Sequence, residues 1–176
     1  MYHIQLDVGD EFYSQMAYRV RKSPGEVVML LQRTDGGIWL MTKDFYPADI
    51  YRLPTGKMTR NESPEIAILR ETLEETGVSS TAAELFETIA CTFSYGPISL
   101  AYYSYIFLIP DFNAEPSPID VSEGITDFKE VQPCELRSVT DQLRSIQGEW
   151  SDWGRWRAIA HELLFNRLSL PDSATD

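Results

Sequence analysis

The segment GKMTRNESPEIAILRETLEETGV, residues 56–78, is the most informative part of this chain because its acidic residues have a regular spacing. Four glutamates and one arginine stand out within it: Glu62, Arg70, Glu71, Glu74 and Glu75. Carboxylates packed this closely repel one another unless positive charge lies among them, and a hard cation such as Mg²⁺ prefers oxygen ligands. The spacing therefore predicts a metal site that acts on phosphate.

The same segment carries strong signals for a helix from Pro64 to Thr76. Ser63 is a typical N-cap residue, proline suits the first helical position, and Gly77 is a typical stop. At about 100° per residue, Glu71, Glu74 and Glu75 fall on one face. The nearly opposite face is apolar and carries Ile66, Leu69 and Leu73. We expect the helix to bury this apolar stripe while its carboxylates face a cleft.

A solvated acidic helix face is the alternative interpretation of these glutamates. Solubility faces usually pair Glu with Lys at i,i+4 spacing, but this helix contains no lysine. Glu71 and Glu75 repel at that spacing, and the macrodipole disfavours acids in the C-terminal half of a helix. The arrangement is unfavourable without a cation, which favours the metal site.

The spacing also resembles a known signature, the Nudix box. Its fixed positions are occupied here by Gly56, Glu62, Arg70, Glu71, Glu74, Glu75, Gly77 and Val78. Two positions depart from the pattern, because Thr72 replaces an aliphatic residue and Thr55 stands where many members have a second glycine. The resemblance implies a hydrolase of nucleoside diphosphates linked to another moiety. It also implies an α+β fold, an α/β/α sandwich with a central mixed sheet.

Roles for the acidic residues follow from the Nudix resemblance. It implies that Mg²⁺, with Mn²⁺ as the alternative, is held by Glu71, Glu74 and Glu75, together with a backbone carbonyl near Thr55 or Gly56. Arg70 and Glu62 would orient and support these carboxylates. The general base stays open among Glu74, Glu75 and Glu123, a glutamate in a later loop whose alternative is an exposed loop acid.

Recognition of the substrate is less clear from the sequence. Nucleobases usually stack on aromatic side chains. By position the candidates are Trp39, Tyr46, Phe93 and Tyr95, with Phe45, Tyr102 and Tyr103 as further ones. A tyrosine at the distance of Tyr95 from the box resembles dinucleoside polyphosphate hydrolases, whereas a proline such as Pro97 resembles ADP-ribose hydrolases. Nucleotide sugars and nucleoside triphosphates also remain open.

Two other functions on the same fold remain as alternatives. One is a nucleotide-sensing Nudix module without catalysis, which typically has an eroded box and an attached DNA-binding unit; this chain has an intact box. The other is an isoprenoid diphosphate isomerase, which would use a cysteine, for which Cys91 is the candidate.

Composition narrows the class of protein. With 176 residues, 43% of them hydrophobic, we expect one domain over residues 1–176. The net charge of -12 argues against polymeric nucleic acid as a partner and still permits a small phosphorylated ligand, which the Nudix resemblance implies is of nucleotide type. The longest apolar stretch, residues 98–109, is too short to span a membrane, and no signal peptide is evident. We expect a cytoplasmic protein in which Cys91 and Cys134 are buried and reduced.

Other segments predict the elements around the box. Strand-like runs occupy residues 17–20, 26–32, 38–42, 85–93, 99–109 and 125–131, and residues 111–123 read as a loop. Pro133 opens a helix that runs to about Ile146, and an amphipathic C-terminal helix spans about 151–168. Its stripe begins with Trp153 and Trp156, which we assign to the core, with a homodimer contact as the alternative. We expect His161 on the surface of this helix.

Overall fold

The computed structural model describes residues 1–80 and 82–168, in which strands and helices are interleaved. The strands are β1 (Tyr2–Asp7), β2 (Gly25–Leu31), β3 (Ile38–Lys43), β4 (Thr55–Lys57), β5 (Glu84–Tyr95), β6 (Ile98–Ile109) and β7 (Ile125–Val131). The helices are α1 (Asp10–Lys22), α2 (Pro64–Thr76), α3 (Leu136–Ser145) and α4 (Ser151–Leu168). The predicted single domain also includes Thr81 and residues 169–176, which lie outside the described ranges.

The central sheet has five strands in the order β1-β5-β6-β2-β4, and β3 pairs with β7 in a separate two-stranded sheet. Strand directions are mixed: β1 runs parallel to β5 and β2 parallel to β6, whereas β5 with β6 and β2 with β4 are antiparallel. The predicted α+β class with a central mixed sheet is therefore confirmed.

Strand β2 shows how the layers are arranged, because all seven of its residues are buried. Successive side chains of a strand point to opposite faces. Val27, Met29 and Leu31 belong to one apolar cluster that includes residues of α2. Val28 and Leu30 belong to a second cluster, which includes residues of α1, α3 and α4. Helices thus cover both faces of the sheet, as in the predicted sandwich.

The predicted strand at residues 17–20 is wrong, because these residues lie inside α1. Their run Ala-Tyr-Arg-Val is too short for periodicity to separate strand from helix. The longer segment contains the missing signals, since acidic residues occupy its first turn and basic residues its last. Neither β1 nor α1 was predicted.

The other predicted elements agree with the structure to within a few residues. Helix α2 has the predicted bounds, and the predicted loop contains only a 3₁₀ turn at Val121–Glu123. Pro133 opens a 3₁₀ turn that leads into α3. Across residues 1–80 and 82–168, no helix combines the length and apolar character needed to cross a membrane.

Two predictions about single residues in this part of the fold are wrong. His161 is buried in α4 and accepts a hydrogen bond from the backbone N–H of Leu53 over 3.0 Å. Burial lowers the pKa of its imidazole to about 4, so it is held neutral. Cys91 is buried as expected, whereas Cys134 is exposed at the turn before α3. The local sequence indicates neither the burial of His161 nor the exposure of Cys134.

Candidate active site

Helix α2 begins and ends as its sequence predicts. The Ser63 hydroxyl accepts a hydrogen bond from the N–H of Ile66 over 3.4 Å, and Pro64 occupies the first turn. Gly77 ends the helix with a positive φ of 72°, a conformation that favours glycine. Thr72, which departs from the box pattern, is buried and donates to the carbonyl of Ile68 over 2.6 Å. The hydroxyl is therefore satisfied inside the helix.

The orientation of α2 contradicts one expectation. The stripe of Ile66, Leu69 and Leu73 is exposed, with 60%, 40% and 40% of each residue accessible. The buried face instead carries Ala67, Ile68, Glu71, Thr72, Glu75 and Thr76. Packing face and carboxylate face are thus the same face, and Glu71 and Glu75 point into the protein. Glu74 lies at its edge, with 43% of its side chain exposed.

Arg70 holds three glutamates of the acidic cluster together. Its guanidinium donates from Nε and Nη2 to the two oxygens of Glu62, each over 2.8 Å. Nη1 donates to one oxygen of Glu71 over 2.8 Å and to one oxygen of Glu74 over 2.9 Å. Hydrogen bonds from Arg70 hold the pKa of Glu62 at about 2. The second oxygens of Glu71 and Glu74 are left for another partner.

Glu75 is the most deeply buried acid of the cluster. Both of its carboxylate oxygens are buried and have no hydrogen-bond partner within residues 1–80 and 82–168. The ammonium of Lys43 lies 3.8 Å from one of them. Burial raises the pKa of Glu75 to about 8, and it also raises the pKa of Glu71. Glu75 therefore needs additional positive charge to remain ionised at neutral pH.

Gly56 of β4 lies directly against Glu71. A Cβ atom at this position would lie 2.0 Å from the carboxyl carbon of Glu71, so only glycine permits the approach. Register with β2 holds the strand in place, and Arg52 donates to the Leu53 carbonyl over 2.6 Å and to the Thr55 hydroxyl over 3.0 Å. The backbone near Gly56 and the carboxylate of Glu71 are thus fixed side by side.

Glu123 comes to the same cleft from the 3₁₀ turn before β7. Its carboxylate accepts from the ammonium of Lys43 over 2.6 Å. Lys43 ends β3 and is itself buried, with 7% of the residue exposed. It was not predicted as a site residue, because only the tertiary fold brings it between Glu75 and Glu123.

These residues line a cleft of about 340 Å³, here named the acidic cleft. Its glutamates are Glu71, Glu74, Glu75 and Glu123, and the rest of its lining includes Thr55, Gly56, Lys57, Arg70 and Lys22. Glu62 is positioned behind Arg70. The structure therefore brings together every predicted catalytic and metal-binding residue.

The oxygen atoms that line the acidic cleft fit a hard divalent cation. Within the described ranges, however, no three acidic, histidine or cysteine side chains form a ready-made metal-binding cluster. Arg70 and Lys43 take up part of the negative charge instead. All candidate ligands are oxygens, and the unpartnered oxygens of Glu75 and the raised pKa of this group indicate a place for a cation.

None of the four predicted aromatic residues lines the acidic cleft. Phe93 is buried in the core, 5.6 Å between ring centroids from both Phe12 and Trp156. The hydroxyl of Tyr46 accepts from Arg52 over 2.8 Å. Tyr95 lies at the exposed end of the β5–β6 hairpin. These positions do not support a direct contact with a group bound between the glutamates.

Trp39 lines a separate pocket beside the loop that precedes β7. Its indole N–H is buried and has no hydrogen-bond partner among the described residues. Cys91, the candidate residue of the isomerase interpretation, belongs to the apolar core, and burial raises the pKa of its thiol to about 12. Neither residue reaches the carboxylates.

Comparisons with known proteins agree with this fold. The model of the NUDIX domain matches residues 22–154. An 8-oxo-dGTP diphosphatase from Proteus vulgaris is 40% identical over 53 residues, which cover 30% of this chain and 47% of that protein. The chain thus matches about half the length of this curated relative.

Two solved structures extend the comparison over more of the chain. A MutT NUDIX hydrolase from Burkholderia pseudomallei aligns with a TM-score of 0.55 and 18% identity, over 84% of this chain and 98% of that one. The dihydroneopterin triphosphate pyrophosphohydrolase of E. coli aligns with a TM-score of 0.56 and 14% identity, over 82% and 97%. At these identities the structures show a shared fold.

Proposed function

Because the chain belongs to the Nudix hydrolase family, we propose that it is a pyrophosphohydrolase that cleaves a diphosphate linkage in a nucleoside diphosphate derivative. The observation that carries the proposal is Glu75, whose two buried oxygens have no hydrogen-bond partner. It lies on the same helix face as Glu71, which is held against Gly56. A buried acidic pair of this kind is unfavourable unless a cation shares it.

In this proposal Glu71, Glu74 and Glu75 hold Mg²⁺, with Mn²⁺ as the alternative cation. A divalent cation supplies positive charge that polarises phosphoryl oxygens and stabilises the leaving phosphate. Arg70 keeps one oxygen of Glu71 and one of Glu74 fixed, so that their other oxygens point away from the guanidinium. Glu62 takes two hydrogen bonds from Arg70 and thereby fixes the orientation of that side chain.

The general base is proposed among Glu74, Glu75 and Glu123. Glu74 and Glu123 have 43% and 41% of their side chains exposed, so either can reach a water molecule in the cleft. The ammonium of Lys43 fixes Glu123 in place. Comparing the pH dependence of kcat in Glu74→Gln and Glu123→Gln distinguishes them, because the base controls the acidic limb of that profile.

The substrate is proposed within four classes: ADP-ribose, nucleotide sugars, dinucleoside polyphosphates, and ribo- or deoxyribonucleoside triphosphates. We propose 8-oxo-dGTP as a candidate in the last class, because the chain partly matches an 8-oxo-dGTP diphosphatase. All four contain a diphosphate attached to a nucleoside, which suits a cleft lined by carboxylates for the cation and by Lys22 and Lys57 for phosphate oxygens.

The proposal is tested by incubating the protein with a panel from these classes, in Mg²⁺ and in EDTA, and identifying products by mass spectrometry. We expect two phosphate-containing products from at least one compound, and no products in EDTA. Intact compounds across the panel in both Mg²⁺ and Mn²⁺ would contradict a hydrolase.

The two alternative functions predict different results when isopentenyl diphosphate is added to the panel. A nucleotide-sensing module would bind panel compounds without converting them. An isoprenoid diphosphate isomerase would convert isopentenyl diphosphate and lose activity in Cys91→Ala. The burial of Cys91 in the apolar core does not favour that second function.

Location and assembly complete the proposal. We propose a cytoplasmic protein whose ligand is a small nucleotide-type molecule. A homodimer through the stripe that begins at Trp153 stays a prediction. Trp156 of that stripe is buried within the chain, with 4% of the residue exposed. Light scattering after size-exclusion chromatography measures the oligomeric state.

A further inference from the structure

A second cleft lies beside the acidic cleft and has the opposite charge. Its volume is about 410 Å³, within the roughly 300–1,000 Å³ typical of small-molecule sites. We name it the basic cleft, because its charged lining residues are all cations: Arg19, Lys22 and Lys57. In a chain with a net charge of -12, a cleft without any lining carboxylate is unusual. Its charge suits an anionic ligand.

The two clefts adjoin, since Lys22 and Lys57 line both. Within the described residues, neither lysine forms an ion pair. The carbonyl of Lys57 accepts from Arg70 over 3.1 Å, which ties its backbone to the acidic cluster. A phosphate that leaves the carboxylates toward the basic cleft therefore passes between two lysines without competing acids.

The aromatic side chains that line the basic cleft suit stacking with a flat ring. Trp153 is held in place by Tyr46 and Trp150, with ring centroids 4.9 Å and 5.2 Å away. Tyr18 is 60% exposed, and the ammonium of Lys22 lies 5.6 Å from the centroid of its ring. Gln15 adds an amide that can both donate and accept hydrogen bonds. Aromatic faces with an adjacent amide are suited to stacking and hydrogen bonding with a nucleobase.

The cleft is preformed because α1 and α4 are tied together. The N–H of Gly9, at the start of α1, donates to the carboxylate of Asp152 in α4 over 2.7 Å. Arg155 of α4 donates to the carbonyl of Asp7, just before α1, over 2.6 Å. The two helices thus hold both walls in place without a ligand.

Part of the lining of the basic cleft precedes the residues that match the NUDIX domain. The family match begins at residue 22, so Gln15, Tyr18 and Arg19 precede it. The basic cleft therefore depends partly on residues that precede the family match.

We propose that the basic cleft binds the nucleoside of the substrate, with Tyr18 and Trp153 stacking on the base. Lys22 and Lys57 bind the phosphate next to the nucleoside, while the scissile linkage lies in the acidic cleft. This inference rests on the proposed function for the position of that linkage. It assigns the choice of ligand to α1 and α4.

Binding of non-hydrolysable probes tests the inference by calorimetry in Mg²⁺. The α,β-methylene analogues of ADP and GDP carry a nucleoside, whereas methylenediphosphonate carries the same bridged phosphorus atoms without one. We expect at least one nucleotide analogue to bind at least about tenfold more tightly than methylenediphosphonate. Equal affinity of all three probes would overturn the nucleoside subsite.

Tyr18 provides the sharpest variant, because its exposed side chain can be changed with little effect on folding. Tyr18→Ala should weaken binding of the nucleotide analogue about tenfold and leave methylenediphosphonate unchanged. Tyr18→Phe is the matched control and should bind like the wild type, since it keeps the ring. Unchanged nucleotide binding by Tyr18→Ala would refute the stacking role.

The lysines are tested separately from the ring. Lys22→Ala and Lys57→Ala should each weaken the nucleotide analogue several-fold, with a loss that shrinks as salt rises. Lys129→Ala, on β7 and outside both clefts, is the charge-matched control and should bind normally. Equal effects of all three substitutions would contradict a local role.

These binding measurements separate the subsite from the reaction. The expected pattern in a protein that converts no panel compound would support the subsite and refute the proposed hydrolase. Turnover of a nucleotide with the same kcat/KM in wild type and Tyr18→Ala would refute the subsite and leave the hydrolase standing.

Discussion

Among single residues, Glu75 stands out for its unfavourable electrostatic environment. Its carboxylate is buried, and the nearest cation, Lys43, is 3.8 Å away and shared with Glu123. The metal-free fold favours the neutral, protonated form of Glu75, because burial raises its pKa to about 8. A bound divalent cation would reverse this preference and favour the ionised form.

This environment predicts how the stability of the metal-free protein changes with pH. The pKa of Glu75 rises from about 4.5 in the unfolded chain to about 8 in the folded one, so the unfolded chain releases a proton that the folded one keeps. The contribution of Glu75 is fully present below pH 4.5 and is lost as pH rises toward 8, by up to about 1.4 kcal/mol per pH unit. Thermal denaturation in EDTA should show a steeper loss of stability for wild type than for Glu75→Gln.

Comparison with the Glu75→Gln variant removes the contribution of all other titrating groups. Addition of Mg²⁺ should stabilise the wild type more at pH 8 than at pH 5, because cation binding needs the ionised carboxylate. The same addition should affect Glu75→Gln much less. Parallel pH profiles for the two proteins in EDTA would contradict the assigned role of burial.

At the scale of elements, α2 separates what local sequence determines from what it does not. Its bounds follow from Ser63, Pro64 and Gly77, each of which acts on the neighbouring backbone, and the sequence predicts them correctly. Its orientation depends on the contact between Gly56 and Glu71, which comes from a different strand. Hydrophobicity alone placed Leu69 inside, and this was wrong because the functional face is also the packing face.

The same distinction explains the rest of the site. The five charged residues of the box could be predicted because their spacing is contained in one loop and one helix. Lys43 could not, since it becomes a site residue only when β3 and β7 pair and bring Glu123 beside it. The basic cleft depends on α1, whose short apolar run was misassigned as a strand.

Two neighbouring residues of α2 test its orientation directly. Ile68 is fully buried, whereas Leu69 is 40% exposed. Ile68→Ala should lower the free energy of unfolding by about 2–5 kcal/mol, because it leaves a cavity in the core. Leu69→Ala should change it by less than about 1 kcal/mol. Urea denaturation measures both, and a larger loss for Leu69→Ala would mean that the helix is turned the other way.

At the scale of the whole molecule, a buried ion pair joins the central sheet to the last helix. Glu26 of β2 accepts from Arg157 of α4 over 2.7 Å and from Ser104 of β6 over 2.9 Å. Arg19 of α1 lies 3.3 Å away. Both members of the pair are almost fully buried, at 1% and 6% exposure. Helices α1 and α4 and strand β6 are therefore connected through one carboxylate of β2.

Breaking this pair should destabilise the entire fold. Arg157→Met leaves Glu26 buried with only a more distant arginine, and the free energy of unfolding should fall by about 3–5 kcal/mol. Adding Glu26→Gln to Arg157→Met should recover part of the loss, because the unpaired charge is removed. Denaturant unfolding of the two single variants and the double variant measures this coupling. Strictly additive losses would show that the two residues do not act as a pair.

The most direct test of the central claim compares turnover by wild type and Glu74→Gln on a panel compound that the wild type hydrolyses in Mg²⁺. Glu74 is partly exposed, and its carboxylate is hydrogen-bonded to Arg70, so the substitution should preserve the fold while removing a charge from the proposed metal site. We expect kcat to fall at least about 100-fold. Glu65→Gln, in the first turn of the same helix, should keep wild-type turnover. A Glu74→Gln variant that folds normally and retains most of its kcat would contradict the assignment of this acidic cluster as the catalytic site.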